Sequence, residues 1–298
     1  MGGLVAGVIL PLLLATRPKT LPAAIVPVWV ACVLSWKLTG DCDFVLASAT
    51  LGGAVFIQIA TNLFNDAIDA EKGADTERRT GPKRVTASGL MSRSAVMGWA
   101  GLFLVLALAC GVLLYRAAGW PILAIGLPSL YLAYGYTGGP LPLAYRGLGE
   151  IFVILFFGLV AVAGTVFIQT GQWRMEALLL GGQVGLLSAV LISINNLRDR
   201  EEDSGTGKRT LAVRLGSRAA RLLVWLEIKV AVFLGLAWFH YDLGWLVLAT
   251  LPVWTLGLRV LWGVFTLPEG QRMNRLLALA ALQLIAFAGL FHFLAAKF

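Results

Sequence analysis

The sequence predicts an all-α protein whose solvent is a lipid bilayer, with about nine helices threaded through it. Three observations lead there. Of the 298 residues 58% are hydrophobic and only 13% charged, with a mean hydropathy of +0.81, more apolar surface than a soluble fold of this length can bury. Apolar runs long enough to cross roughly 30 Å of hydrocarbon recur along the chain. Between those runs, basic residues are dense in alternate connections and sparse in the others, the pattern that orients membrane proteins. Residues 1–298 read as a single transmembrane domain.

Taken in order, the apolar stretch Leu4 to Ala15 has no basic segment ahead of it, unlike a secretory leader. At 12 residues it is too short to span, and it reads as an interfacial or partly buried lead-in helix. Spans then fall near 21–38, 44–64, 94–115, 119–137, 148–169, 177–197, 222–240, 243–264 and 274–296. The 34 glycines are too many for turns alone, and small residues let helices approach closely in lipid. Cys32, Cys42 and Cys110 form no CxxC or disulfide framework, and His240 and His292 stand alone. A cysteine or histidine metal site is therefore not expected.

With the amino end cytoplasmic, cytoplasmic segments hold 19 of the 24 Lys and Arg residues. The opposite face holds Lys37, Arg116, Arg174 and Lys297, and Lys229 lies within a span. This bias puts connections 65–93 and 198–221 on the cytoplasmic face of the inner membrane. It also accounts for the net charge of +8 without nucleic acid, because basic loops beside a bilayer attract anionic membrane lipids.

Most connections are a few residues long, so these two need another reason. Together they carry nine of the 16 acidic residues, which orientation by Lys and Arg does not explain. The first opens in NLFNDAIDAEKGAD (62–75), where Asn62, Asn65, Asp66 and Asp69 form one polar stripe if the helix continues. The second opens in NNLRDREED (195–203), where Asn195, Asp199 and Asp203 repeat every four residues on one face. A glycine and a Lys-Arg pair follow each: Gly81, Lys83, Arg84 and Gly207, Lys208, Arg209. Four spans separate the stripes, so both helices point the same way, and the recurrence suggests pseudo-repeated halves.

Four aspartates gathered at a bundle mouth repel one another and are costly to desolvate without a cation. Hard carboxylate oxygens with amide carbonyls beside them suit magnesium, which is commonly held by a few carboxylates together with substrate phosphates. The candidate metal set is Asn62, Asp66, Asp69, Asp199 and Asp203, the four aspartates being the candidate catalytic residues. Asn65, Asn195 and Asn196 stand behind them. Lys83, Arg84, Lys208 and Arg209 are candidate donors to a diphosphate. One NDxxD at a helix end is ordinary capping; the second stripe with the same downstream pattern is what points to a shared site. A transporter could also carry charged stripes in repeated halves, though nearer the midplane. A non-catalytic lipid-binding scaffold gives no reason for two such stripes.

At these motifs the sequence closely resembles the UbiA superfamily of intramembrane prenyltransferases, in order and through most of the chain. RPKTLPA (17–23), NLFNDAIDAEKGAD (62–75), RRTGPKRVTASG (78–89), GPLPLAYRGLGE (139–150) and NNLRDREEDSGTGKRTLAVRLG (195–216) are similar, more narrowly, to the 1,4-dihydroxy-2-naphthoate polyprenyltransferases of menaquinone synthesis. The resemblance implies a nine-helix ring with a polar cavity on the cytoplasmic side and a lipid-facing opening for an isoprenoid tail. It implies Mg2+-dependent transfer of a polyprenyl group from its diphosphate to 1,4-dihydroxy-2-naphthoate, with loss of diphosphate and CO2, giving demethylmenaquinone. A 4-hydroxybenzoate or other aromatic acceptor is the neighbouring alternative. Many members carry an aspartate four residues after Asp69, where this chain has Gly73 and then Asp75. Arg146, the one basic residue of its loop, is a candidate for the acceptor carboxylate or a plain positive-inside anchor, with Tyr134, Tyr136 and Tyr145 as candidate walls of an aromatic pocket.

Overall fold

The computed structural model describes residues 2–73, 81 and 84–298, with side chains from Ile9 on. Lys83 and Asp75 lie outside the described residues. Every regular element among those described is helical. In chain order these are α1 (Gly2–Ala15), α2 (Pro22–Thr39), α3 (Phe44–Glu71), α4 (Arg93–Ala118), α5 (Pro121–Gly135), α6 (Gly149–Thr170), α7 (Met175–Arg198), α8 (Arg200–Gly205), α9 (Leu211–Tyr241), α10 (Gly244–Thr266) and α11 (Gln271–Lys297). Eight of them are long and apolar enough to cross a membrane. The ninth expected span, α5, has 15 residues and reaches only about 22 Å. Bounded by Trp120-Pro121 and the turn after Gly135, it stops short of the hydrocarbon thickness.

Helix ends follow local chemistry. Asp43 caps α3, its Oδ1 accepting from the amides of Val45 (2.8 Å) and Leu46 (3.0 Å). Ser92 caps α4 through the Ala95 amide and Thr210 caps α9 through the Val213 amide. Gly40 closes α2 at φ 79°, a conformation that a side chain would strain. Helix α3 runs 28 residues, about 42 Å, longer than the roughly 30 Å hydrocarbon core, and continues to Glu71. The connection expected from residue 65 therefore begins as helix. The connection at 198–221 is also largely helical, occupied by α8 and the start of α9, which bends where Gly216 takes φ 79°.

The main hydrophobic core joins α2, α6, α7, α9, α10 and α11; Leu180, Leu187, Ile194, Val260, Leu284 and Phe291 are fully buried in it. A second cluster joins α1, α3 and α4 through Ala15, Ile59, Leu63, Val96 and Ala100. Helix α6 is π-helical over Ile154–Val160, and there Gly158 lies so close to α7 that a Cβ would come 2.4 Å from the Gly181 carbonyl oxygen and 2.5 Å from the Gly185 Cα. The lead-in helix α1 packs on α3. A membrane-embedded, all-helical protein is what the composition predicted.

Candidate functional site

The polar stripe of α3 is continuous, and its aspartates are buried: Asp66 is 1% exposed and Asp69 2%. Asp66 offers both oxygens to the later part of the same connection, accepting from the amides of Val85 (3.1 Å) and Thr86 (2.9 Å). Asp69 binds the same segment through Arg84 and draws in two more through Tyr145 and Lys208. Its Oδ2 accepts from Arg84 Nη2 at 2.8 Å and from Lys208 Nζ at 2.9 Å, while its Oδ1 accepts from the Tyr145 hydroxyl at 2.9 Å. The Tyr145 ring in turn sits 4.1 Å from Lys72 Nζ and 5.3 Å from Lys208 Nζ. Asn65 accepts from the Thr137 hydroxyl. Asn62 directs its amide nitrogen at the Thr16 carbonyl (2.8 Å) and the Thr20 hydroxyl (3.0 Å), binding the segment ahead of α2 to the stripe.

The second stripe crosses a helix break and keeps its register. Asp199 ends α7 at φ −95°, ψ 6°, yet its amide donates to Asn195 O (3.1 Å) and the Asp203 amide donates to Asp199 O (2.8 Å). Arg198 forks onto Asp199 at 2.7 and 2.6 Å and reaches Asn195 and Asn274, both at 2.8 Å. Burial pushes the Asp203 carboxyl up to about 7, with Asp199, Asp69 and Glu202 pushing the same way and Lys208 opposing. Asp203 therefore feels the first stripe, and Lys208 links the two loops.

An apolar cavity of about 230 Å³ adjoins this polar mouth. Helices α2 to α6 line it, from Gln58 and Tyr136 beside the stripe to Leu114, Ile122 and Ile168 at the far end. Gln58 Nε2 lies 3.4 Å from Asn62 Oδ1, so the cavity begins one turn from the stripe. The Tyr136 hydroxyl stands at the junction, within electrostatic reach of Glu150, Asp69, Asp203 and Arg17.

Of the sequence candidates, Asp66, Asp69, Arg84, Tyr145, Asp203 and Lys208 come together, with Asp199 beside them. Arg209 points outward; its amide donates to Tyr145 O (3.2 Å) and its carbonyl accepts from Arg214 Nε (3.0 Å). Arg146 is exposed, and Tyr134 meets Phe64 edge-on at a partly exposed position. Asn196 donates to Glu150 Oε1 at 2.9 Å. Sequence reasoning passed over Arg198, Lys72, Glu150 and Arg17. Arg198 lies inside the second motif and could have been suspected there; its partner Asn274 carried no signal.

The donors fit a divalent cation that arrives on phosphate oxygens. Among the described residues no three His, Cys, Asp or Glu side chains form a ready-made cage. The carboxylates are instead spread around the mouth, with guanidinium, ammonium and backbone donors between them. Magnesium completed by substrate phosphates needs such a set rather than an all-protein shell.

The profile of the UbiA prenyltransferase family matches residues 24–292. The chain is 36% identical over 216 residues to a 1,4-dihydroxy-2-naphthoate octaprenyltransferase of Bacillus subtilis (strain 168), covering 72% of this chain and 69% of that one. It is 36% identical over 248 residues to the protein of that name in Escherichia coli (strain K12), covering 80% of each. In fold it is similar to a UbiA homolog from Archaeoglobus fulgidus, solved bound to DMAPP and Mg2+, with a TM-score of 0.69 at 14% identity over 96% of this chain and 99% of that one.

Proposed function

Because the chain belongs to the UbiA prenyltransferase family, we propose that it transfers a polyprenyl group from its diphosphate to 1,4-dihydroxy-2-naphthoate, releasing diphosphate and CO2, with loops 65–93 and 198–221 on the cytoplasmic face of the inner membrane. The observation that carries this reading is the 2.9 Å contact between Lys208 and Asp69. It makes one polar mouth of two loops far apart in sequence, and that mouth opens on an apolar cavity.

Asp66, Asp69, Asp199 and Asp203 would hold magnesium together with the prenyl diphosphate, and Asn62, one turn before Asp66, would set the edge of that site. Bound there, magnesium supplies Lewis-acid stabilisation of the negative charge developing on the departing diphosphate. Lys208 and Arg84, which converge on Asp69, would donate to phosphate oxygens; Lys83 and Arg209 are further candidates in the same loops. The cavity would take the first isoprene units and keep water from the allylic carbon as it becomes cationic. Curated relatives bearing the naphthoate name support the acceptor.

Purified protein given Mg2+, prenyl diphosphates of several lengths and an equimolar mixture of 1,4-dihydroxy-2-naphthoate and 4-hydroxybenzoate tests the reading by mass analysis. Prenylated, decarboxylated naphthalene products are expected. Prenylated benzoate as the main product would overturn the acceptor; no transfer to either would overturn the activity.

A further inference from the structure

Helix α8 brings Asp203 to the mouth, yet at six residues it is far too short to hold its shape or direction alone. It joins α7 through Asp199, whose φ of −95° and ψ of 6° lie in the bridge region outside the helical basin. Backbone hydrogen bonds carry the register across this break, but its angle needs an outside support. The support comes from the connection between α10 and α11, Leu267-Pro268-Glu269-Gly270. Pro268 fixes one φ of this turn, and Gly270 takes φ 103°, a conformation open to glycine.

Glu269, presented by that turn, has a side chain only 13% exposed. Its Oε2 accepts from Arg200 Nε, at the start of α8, at 2.8 Å, and its Oε1 lies 3.8 Å from Arg221 Nη2 on α9. Arg221 also donates to the carbonyls of Val264 and Leu267, so the connection itself is fastened to α9. Just beyond the turn, Asn274 Oδ1 accepts at 2.8 Å from Arg198, the residue that forks onto Asp199. Both arginines flanking Asp199 are thus held by one distant segment. An exposed ion pair would fix little, but a sheltered carboxylate facing two guanidinium groups keeps a set geometry.

We propose that Glu269 is a positioning residue for the second acidic stripe: through Arg200, one turn before Asp203, it fixes the angle of α8 on α7 and so the place of Asp203. This rests on the magnesium and diphosphate reading above. Groups that hold a metal's carboxylates in place are worth much of its affinity, although they never touch it. Loosening α8 therefore weakens the hold on magnesium and diphosphate. The acceptor and the apolar cavity do not depend on that angle, so the loss should fall on one substrate and not on both.

The test compares wild type, Glu269→Ala, Glu269→Gln, Arg200→Gln and the Arg200→Gln/Glu269→Gln double variant, each purified at full length. Mg2+ is titrated calorimetrically in the presence of an unreactive prenyl thiodiphosphate, acceptor KM is measured separately, and hydrogen exchange is followed at the amides of 199–206 without metal. Glu269→Ala should raise the half-saturating Mg2+ about tenfold or more, with the acceptor KM within about twofold and exchange in α8 accelerated. Gln, which still accepts a hydrogen bond, should fall between Ala and wild type. Because Glu269 acts through Arg200, the double variant should be no worse than Arg200→Gln alone. Unchanged Mg2+ binding in Glu269→Ala overturns the proposal, as does a loss shared equally by Mg2+ binding and acceptor KM, which a merely structural role predicts. Should Glu269→Ala not fold, the three Gln variants decide, and additive losses in the double variant overturn it. Wild type that binds no Mg2+ with the thiodiphosphate would instead overturn the reading on which this inference rests, a result that needs no variant.

Discussion

Replacing Asp203 by asparagine should make the metal-free protein more stable above neutral pH while making it a poor enzyme. Burial, with Asp199, Asp69 and Glu202 adding to it and Lys208 opposing, pushes this carboxyl from the ordinary 3.8 up to about 7. A raised folded value means that the folded protein keeps a proton over a range where the unfolded chain has released it. The contribution is therefore full below about pH 4, falls as the pH rises and levels off above about pH 7. About three pH units at about 1.4 kcal/mol each make the loss about 4 kcal/mol. Asparagine has the same shape and no charge, so the two proteins should be alike near pH 4, with the variant ahead by up to about 4 kcal/mol at pH 8. Unfolding in detergent with a chelator, followed from pH 4 to 8.5 for both proteins, measures the difference. Adding Mg2+ and prenyl diphosphate should stabilise wild type through binding and Asp203→Asn much less. Equal pH slopes for the two proteins, or a variant less stable than wild type at pH 8, would refute the reasoning.

Asp199→Asn and Asp66→Asn should each lower turnover by orders of magnitude, with the double variant little worse than either single one, because in the proposed site both would act through one metal-bound diphosphate. Stability must be followed alongside, since Arg198 loses its carboxylate partner in the first; near wild-type turnover in Asp199→Asn would remove it from the site. Gly158→Ala should cost about 1–3 kcal/mol or more by forcing a methyl into the α7 backbone. Gly98→Ala, with nothing within 4 Å of its added methyl, should be neutral or slightly stabilising, and thermal unfolding of the pair checks the contrast. Single cysteines at positions 90 and 206 of a cysteine-free variant should both be labelled from the cytoplasmic side of intact membranes, and labelling from opposite sides would break the shared site apart.

What the sequence determined by itself was set by short-range and compositional physics. Too much apolar surface for water forces helices into lipid, and backbone hydrogen bonding in lipid makes spans legible from hydropathy, though the run at α5 folds as a helix of only 15 residues. The polar stripe of Asn62, Asp66 and Asp69 was legible because helical periodicity acts within a few residues, and α3 does continue to Glu71. The i, i+4 rhythm of Asn195, Asp199 and Asp203 was legible too, although the helix breaks at Asp199 while the backbone hydrogen bonds carry the register across. Tertiary structure decided which distant groups meet. Nothing in the sequence announces that Lys208 reaches Asp69 across 139 positions, that Tyr145 gives its hydroxyl to the same carboxylate, or that Asn274 steadies Arg198. Two arginines part in the same way: Arg146 is left on the surface, while the left-handed turn at Arg17 is tied to the stripe by Asn62 through Thr16 and Thr20. The physical reason is range: periodicity and hydropathy are local, whereas a buried charge takes its partners from whatever helices the packing brings within about 3 Å of it.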